Sequence, residues 1–134
     1  MKNILIIFQV LFLWALASPL LAQTNEDQKT LRVFIFAGQS NMVGSDSKVK
    51  DINRFPPYVG LEEAQEKVLF TYCIGRQNKM RSEGWVPLQH VNNVVGPELS
   101  FARKVTGLVK APIAIIKVAA GGTHLGGDWN PDEP

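Results

Sequence analysis

Three apolar runs rich in β-formers, each followed by glycine, constrain this chain more than any other feature. Leu31-Arg32-Val33-Phe34-Ile35-Phe36-Ala37 runs into Gly38. Val68-Leu69-Phe70-Thr71-Tyr72-Cys73-Ile74 runs into Gly75, and Ile113-Ala114-Ile115-Ile116-Lys117-Val118-Ala119 into Ala120-Gly121-Gly122. Near-continuous apolar runs read as strands covered on both faces, as in a parallel sheet. Gly96-Pro97-Glu98 then opens a helix. Proline suits its first turn, and Glu98 suits the positive end of its dipole. Leu99, Ala102, Val105 and Val109 share one face, Phe101 and Leu108 widen it, and Pro112 stops it. Residues 45–60 read as a long loop, 61–66 as a helical turn, and 75–96 as irregular around Trp85-Val86-Pro87-Leu88. The order of elements predicts an α/β fold with a parallel sheet. Ligands of open α/β sheets lie outside the carboxyl ends of the strands, which puts residues 38–44 and 121–127 on one rim.

The N-terminus reads differently. Lys2 precedes an apolar stretch from Ile4 to Ala17 broken only by Gln9, and Leu20-Leu21-Ala22 leads into polar Gln23-Thr24-Asn25-Glu26-Asp27. This is the layout of a secretory signal peptide, with cleavage after Ala22 or, as the alternative, after Ala17. The apolar run is shorter than the roughly 20 residues a spanning helix needs. The expected organisation is therefore a signal peptide over 1–22, a flexible lead-in over 23–30 and a domain over 31–134, in a secreted or periplasmic protein with no membrane contact after cleavage. Lys+Arg 14 against Asp+Glu 12 gives +2 over 134 residues, too little for a nucleic-acid footprint. A composition 46% hydrophobic and 19% charged is not that of a disordered chain. A single cysteine, Cys73, excludes an internal disulfide framework and a cysteine-based zinc site.

Chemistry concentrates on the two rim loops. In Gly38-Gln39-Ser40-Asn41-Met42 a serine follows a strand directly, where it is accessible and close to unpaired backbone N–H groups if a helical turn comes next. Gly38 permits the sharp turn, and Gly44 permits close approach of the backbone. The spacing is neither a phosphate loop nor the nucleophile elbow of α/β-hydrolases, because Met42 stands where the elbow has its second glycine. On spacing alone, Ser40 also fits a turn residue capping local backbone. Gly121-Gly122 fits either a donor loop for an anion or a plain flexible turn. Cys73 reads as a small hydrophobe, and Glu62, Glu63 and Glu66 as a solvated helical face. Trp85 reads as a core or loop anchor. Trp129 suits either an anchor or a stacking surface for a sugar ring.

Taken together, the blocks resemble a known family. Phe36-Ala37-Gly38-Gln39-Ser40-Asn41-Met42-Val43-Gly44 is similar to the first block of the sialate O-acetylesterase and acetylxylan esterase group, carbohydrate esterase family six of the SGNH hydrolase superfamily. Gly96-Pro97-Glu98-Leu99-Ser100-Phe101-Ala102 resembles that group's helix opening. Lys117-Val118-Ala119-Ala120-Gly121-Gly122-Thr123, with Trp129 beyond, resembles its second block, and Trp85-Val86-Pro87-Leu88 resembles a further feature. The resemblance implies a three-layer α/β/α fold and removal of acetyl groups from an acetylated carbohydrate. It makes Ser40 the nucleophile, with oxyanion donors from the N–H of Ser40 and of Gly121 or Gly122. It implies no metal and no organic cofactor.

The sequence also departs from the pattern. The group takes its base from an Asp-x-x-His pair and has a later Gln-Gly-Glu block, and neither occurs in these 134 residues. His90 and His124 both lack an aspartate three positions earlier. His124, with Asp128 nearby, is the better substitute but would crowd the oxyanion loop. The expectation is an incomplete domain, the N-terminal part of an esterase, inactive by itself. Two alternatives stay open. One is a non-catalytic carbohydrate-binding or interaction module. The other is half of a split esterase whose partner, a complementary C-terminal fragment, supplies the histidine.

Overall fold

The computed structural model describes residues 30–132. The expected signal peptide and nearly all of the lead-in lie outside this range. The three apolar runs form β1 (Arg32–Gly38), β2 (Gln65–Ile74) and β5 (Ile113–Ala119). Two short strands, β3 (Met80–Arg81) and β4 (Val86–Leu88), lie between β2 and β5 in sequence. The helices are a single turn α1 (Ser40–Val43), a second single turn α2 (Val49–Ile52) and α3 (Pro97–Thr106), with 3-10 turns over Pro56–Tyr58 and Arg76–Asn78.

The fold is mixed α/β. Strand β5 is central and parallel to both β1 and β2, while β3 and β4 pair antiparallel with β2 on its other side. The sheet is therefore five-stranded and mixed, not purely parallel, and the stretch read as irregular contributes both antiparallel pieces. Pro87 sits in β4 opposite Leu69, a peripheral position where a missing N–H is tolerated. Residues 61–66 form no helix: Leu61 and Glu62 lie in a turn, and Glu66 is in β2.

One face of the sheet carries the core. Register aligns Phe34 with Ile115 and Phe70, and Phe36 with Lys117 and Tyr72. On this side Phe70, Val68, Ile113 and Ile115 pack with Leu99 and Ala102 of α3, Ile52 of α2, Leu61 and Leu88. Phe101 meets Phe34 and Phe36 edge-on, with ring centroids 4.8 and 5.2 Å away. Each fully buried side chain of this size contributes about 1.5–3 kcal/mol.

The opposite face is open. Val33, Ile35, Leu69 and Val118 point outward, with Ile35 72% exposed. The strands are thus covered on one face rather than two, and among the described residues the fold has two layers rather than three. An apolar run records that a strand's two faces are both apolar; it does not record which residues cover them.

Candidate functional site

The three parallel strands end level. Gly38 pairs with Ala119, and Ala119 with Ile74. Two further bonds stitch the ends together, from Ala120 N–H to the Gly38 carbonyl (3.0 Å) and from Gly75 N–H to the Ala119 carbonyl (2.8 Å). The loops leaving β1, β2 and β5 therefore start at one level on one rim, where ligand sites of open α/β sheets lie.

Ser40 is the first residue of α1, directly after β1, and is partly exposed. Gly44 N–H and Ser45 N–H both donate to the Ser40 carbonyl, at 2.9 and 3.2 Å, closing the turn. Gly44 ends it in the left-handed region, φ 86°. A Cβ there would overlap the Val95 carbonyl oxygen, so glycine is needed both for conformation and for space. The serine hydroxyl does not cap backbone: Ser40 Oγ donates to Gln39 Oε1 at 2.8 Å. Gly121 stands directly opposite, since a Cβ built on it would lie 3.9 Å from Ser40 Cβ. The fold thus brings together Ser40 and Gly121, 81 residues apart in sequence, with Gly122 next along the loop.

That loop is clasped from the β2 side. Arg76, just past β2, donates from Nη2 to the Gly122 carbonyl (2.6 Å) and from Nη1 to Asp128 Oδ1 (3.2 Å). Asp128 Oδ2 accepts from His124 N–H (3.1 Å) and lies 3.6 Å from His124 Nε2. The His124 N–H, with the Arg76 and His124 charges adding to it, holds the Asp128 carboxyl below the usual carboxylate range. Trp129 Nε1 donates to Thr123 Oγ1 (2.9 Å), which donates to the Ala120 carbonyl (2.7 Å). Arg76, Thr123, Asp128 and Trp129 line a cavity of about 430 Å³ beside the strand ends. Sequence reasoning missed Arg76; its place one residue after the Gly75 stop was the available signal.

A family model described as carbohydrate esterase, sialic acid-specific acetylesterase matches residues 30–134. The chain belongs to this carbohydrate esterase family. No similar protein was found among curated proteins, and none among solved structures. Membership in the esterase family carries an acetylesterase-like function at the level of the family, and two of the blocks that resemble the family lie at the rim loops.

Of the other residues singled out, His124 and Trp129 lie in the loop after β5, while His90, Trp85 and the glutamates lie outside the two rim loops. His124 is exposed and turned toward Asp128. His90 lies beyond β4, half-buried, with Nδ1 enclosed and unpaired. Among the described residues neither imidazole hydrogen-bonds to Ser40, whose hydroxyl partner is Gln39. Cys73 is half-buried in β2, and Trp85 is 49% exposed rather than anchored in the core. The three glutamates do not share a helical face. Glu62 accepts from Asn53 Nδ2 (2.8 Å), and that bond above all holds its carboxyl below the usual range.

The rim also rests on something the sequence reading missed. Glu98 stands in the first turn of α3, as expected, but it is also buried, and its Oε2 accepts from the buried Lys117 Nζ at 2.7 Å. The signal was a lone cation inside an apolar strand, which needs a counter-charge wherever it is buried.

Proposed function

We propose that the Ser40 rim is the nucleophile side of a serine esterase that removes O-acetyl groups from sugars, of sialate or xylan type. The observation that carries the reading is the approach of Gly121 to Ser40 across the strand ends. Ser40 Oγ attacks the acetyl carbonyl carbon, the sugar oxygen leaves with a proton, and water then hydrolyses the acetyl-enzyme to acetate. The Ser40 N–H stands in the first turn of α1, where backbone donors have no partner within the helix. Together with the N–H of Gly121 or Gly122, it stabilises the tetrahedral oxyanion. Residues 31–134 act as the N-terminal part of the esterase domain, and the signal-peptide reading of residues 1–22 makes the protein secreted or periplasmic.

The base comes from elsewhere. Among the described residues neither His124 nor His90 hydrogen-bonds to Ser40, so a complementary segment carrying the Asp-x-x-His pair supplies it, as a continuation of this chain or as a second one. Without that base these 134 residues hydrolyse esters more slowly by on the order of 10⁴–10⁶. Acetate release from O-acetylated sialic acid and acetylxylan tests the reading, with the chain alone and joined to such a segment. The expected result is release by the joined protein that disappears in Ser40→Ala; release unaffected by Ser40→Ala would defeat it.

One observation favours a second reading, a non-catalytic carbohydrate-binding module. The 430 Å³ cavity is lined by an arginine and a tryptophan, while among the described residues no histidine hydrogen-bonds to Ser40. Binding of acetylated and unacetylated oligosaccharides alike, unchanged in Ser40→Ala and without turnover, would support it.

A further inference from the structure

Lys117 occupies the core-facing side of the central strand, in a row with Phe36 and Tyr72. It is 1% exposed, as is Glu98. Burial pushes its ammonium below the usual lysine range, and Glu98 opposes that shift. An ion pair in this setting is weak evidence for added stability, because desolvation of both ions offsets their attraction. What the pair touches suggests a different use. Lys117 Nζ also donates to the Val43 carbonyl, at 3.4 Å. Val43 is the last residue of α1, so a cation sits on the carbonyl end of the one-turn helix that begins with Ser40. The backbone has been cleared for this arrangement. A Cβ on Gly96 would overlap both Lys117 Nζ and the Glu98 carboxylate, and one on Gly44 would overlap the Val95 carbonyl.

We propose that the buried Lys117–Glu98 pair is a positioning device for Ser40: Glu98 of α3 fixes the ammonium, the ammonium fixes the end of α1, and the serine is held at a set height opposite Gly121. Lys117 and Glu98 are positioning residues that act through the backbone of α1. The inference rests on the esterase reading for the importance of Ser40, but its test does not.

The test is hydrogen exchange in the full chain, comparing wild type with Lys117→Met/Glu98→Leu, which leaves neither charge unpaired. The Gly44 and Ser45 amides, which donate to the Ser40 carbonyl, should exchange about tenfold faster, the factor expected for losing one hydrogen bond from a charged donor. Amides of β2 and β5 should keep their protection. In ¹H–¹⁵N spectra the Ser40 and Gly44 peaks should move or broaden while that of Ile115 stays. A loss spread evenly over turn and strands, or no loss in the turn, overturns the proposal. Should the double variant fail to fold, Glu98→Gln is read against its own strands: the unpaired ammonium lowers global stability, so β2 and β5 lose some protection, and the Gly44 and Ser45 amides should lose more than those strands do; an even or absent change overturns the proposal. Exchange reports on the turn whether or not Ser40 acylates, so failed acetate release would leave this result standing, and the reverse also holds.

Discussion

At Gly44 and Gly96 a single methyl group decides the geometry of the rim. Gly44 is buried, has φ 86° and lies against Val95, and Gly96 lies against the Lys117–Glu98 pair. Gly44→Ala therefore incurs both backbone strain, about 1–3 kcal/mol, and an overlap with main chain that cannot rotate away. The expected outcome is a drop in unfolding free energy of about 3 kcal/mol, measured by urea titration. The same residue scale separates pairing from burial at the ion pair. Lys117→Met alone strands Glu98 in the core and should cost about 3–5 kcal/mol, while Lys117→Met/Glu98→Leu should recover most of it. A double variant as unstable as the single one would mean that packing, not charge, is the source. The need for glycine near Ser40 was legible, because a strand running straight into Gly38-Gln39-Ser40 demands a tight turn. The burial of Glu98 was not: a glutamate in a first helical turn normally faces water, and only the lysine 19 positions later reveals its partner.

Among the elements, the loop from Gly121 to Trp129 is held by side chains rather than by a ladder. Arg76 and His124 meet on Asp128, and Trp129 closes on Thr123. The Asp128 carboxyl is held below its ordinary value of 3.8. Its contribution is therefore fully present above that value and is lost as pH falls through the lower folded one. The Trp129 indole N–H resonance, assigned with Trp129→Phe, should shift as pH falls below that value, and the shift should be absent in Asp128→Asn. Arg76→Ala should produce much of the same shift at neutral pH, because it removes the bonds to the Gly122 carbonyl and Asp128 together. The elements differ in how far sequence revealed them. Strands β1 and β5 were placed to within a residue by their apolar runs and terminal glycines. Strands β3 and β4 were not, since two or three residues cannot show a period, and Pro87 argues against a strand unless its N–H would face away from the sheet. The rim was readable because both of its loops follow long strands. The clasp was not, because it joins Arg76 to residues 46 and 52 positions away.

For the molecule as a whole, the two faces of the sheet predict opposite responses to substitution. Phe70 is fully buried between strands and helix, so Phe70→Ala should cost about 3–5 kcal/mol. Ile35, Val33, Leu69 and Val118 form an open apolar surface across the three parallel strands. Register aligns Val33 with Ala114 and Leu69, and Ile35 with Ile116 and Thr71, so this surface is continuous rather than scattered. A continuous apolar face of this kind favours association. Among the described residues strand β1 is also an edge of the sheet, which favours pairing between copies. Ile35→Lys should therefore leave the unfolding transition within about 0.5 kcal/mol of wild type, as for an exposed site. In sedimentation it should shift the chain toward monomer. If the same face is what the proposed complementary segment covers, joining that segment should suppress association in the wild type, and Ile35→Lys should then become destabilising because it would bury a charge. An Ile35→Lys substitution that is neutral in both settings would show that the proposed segment does not cover this face.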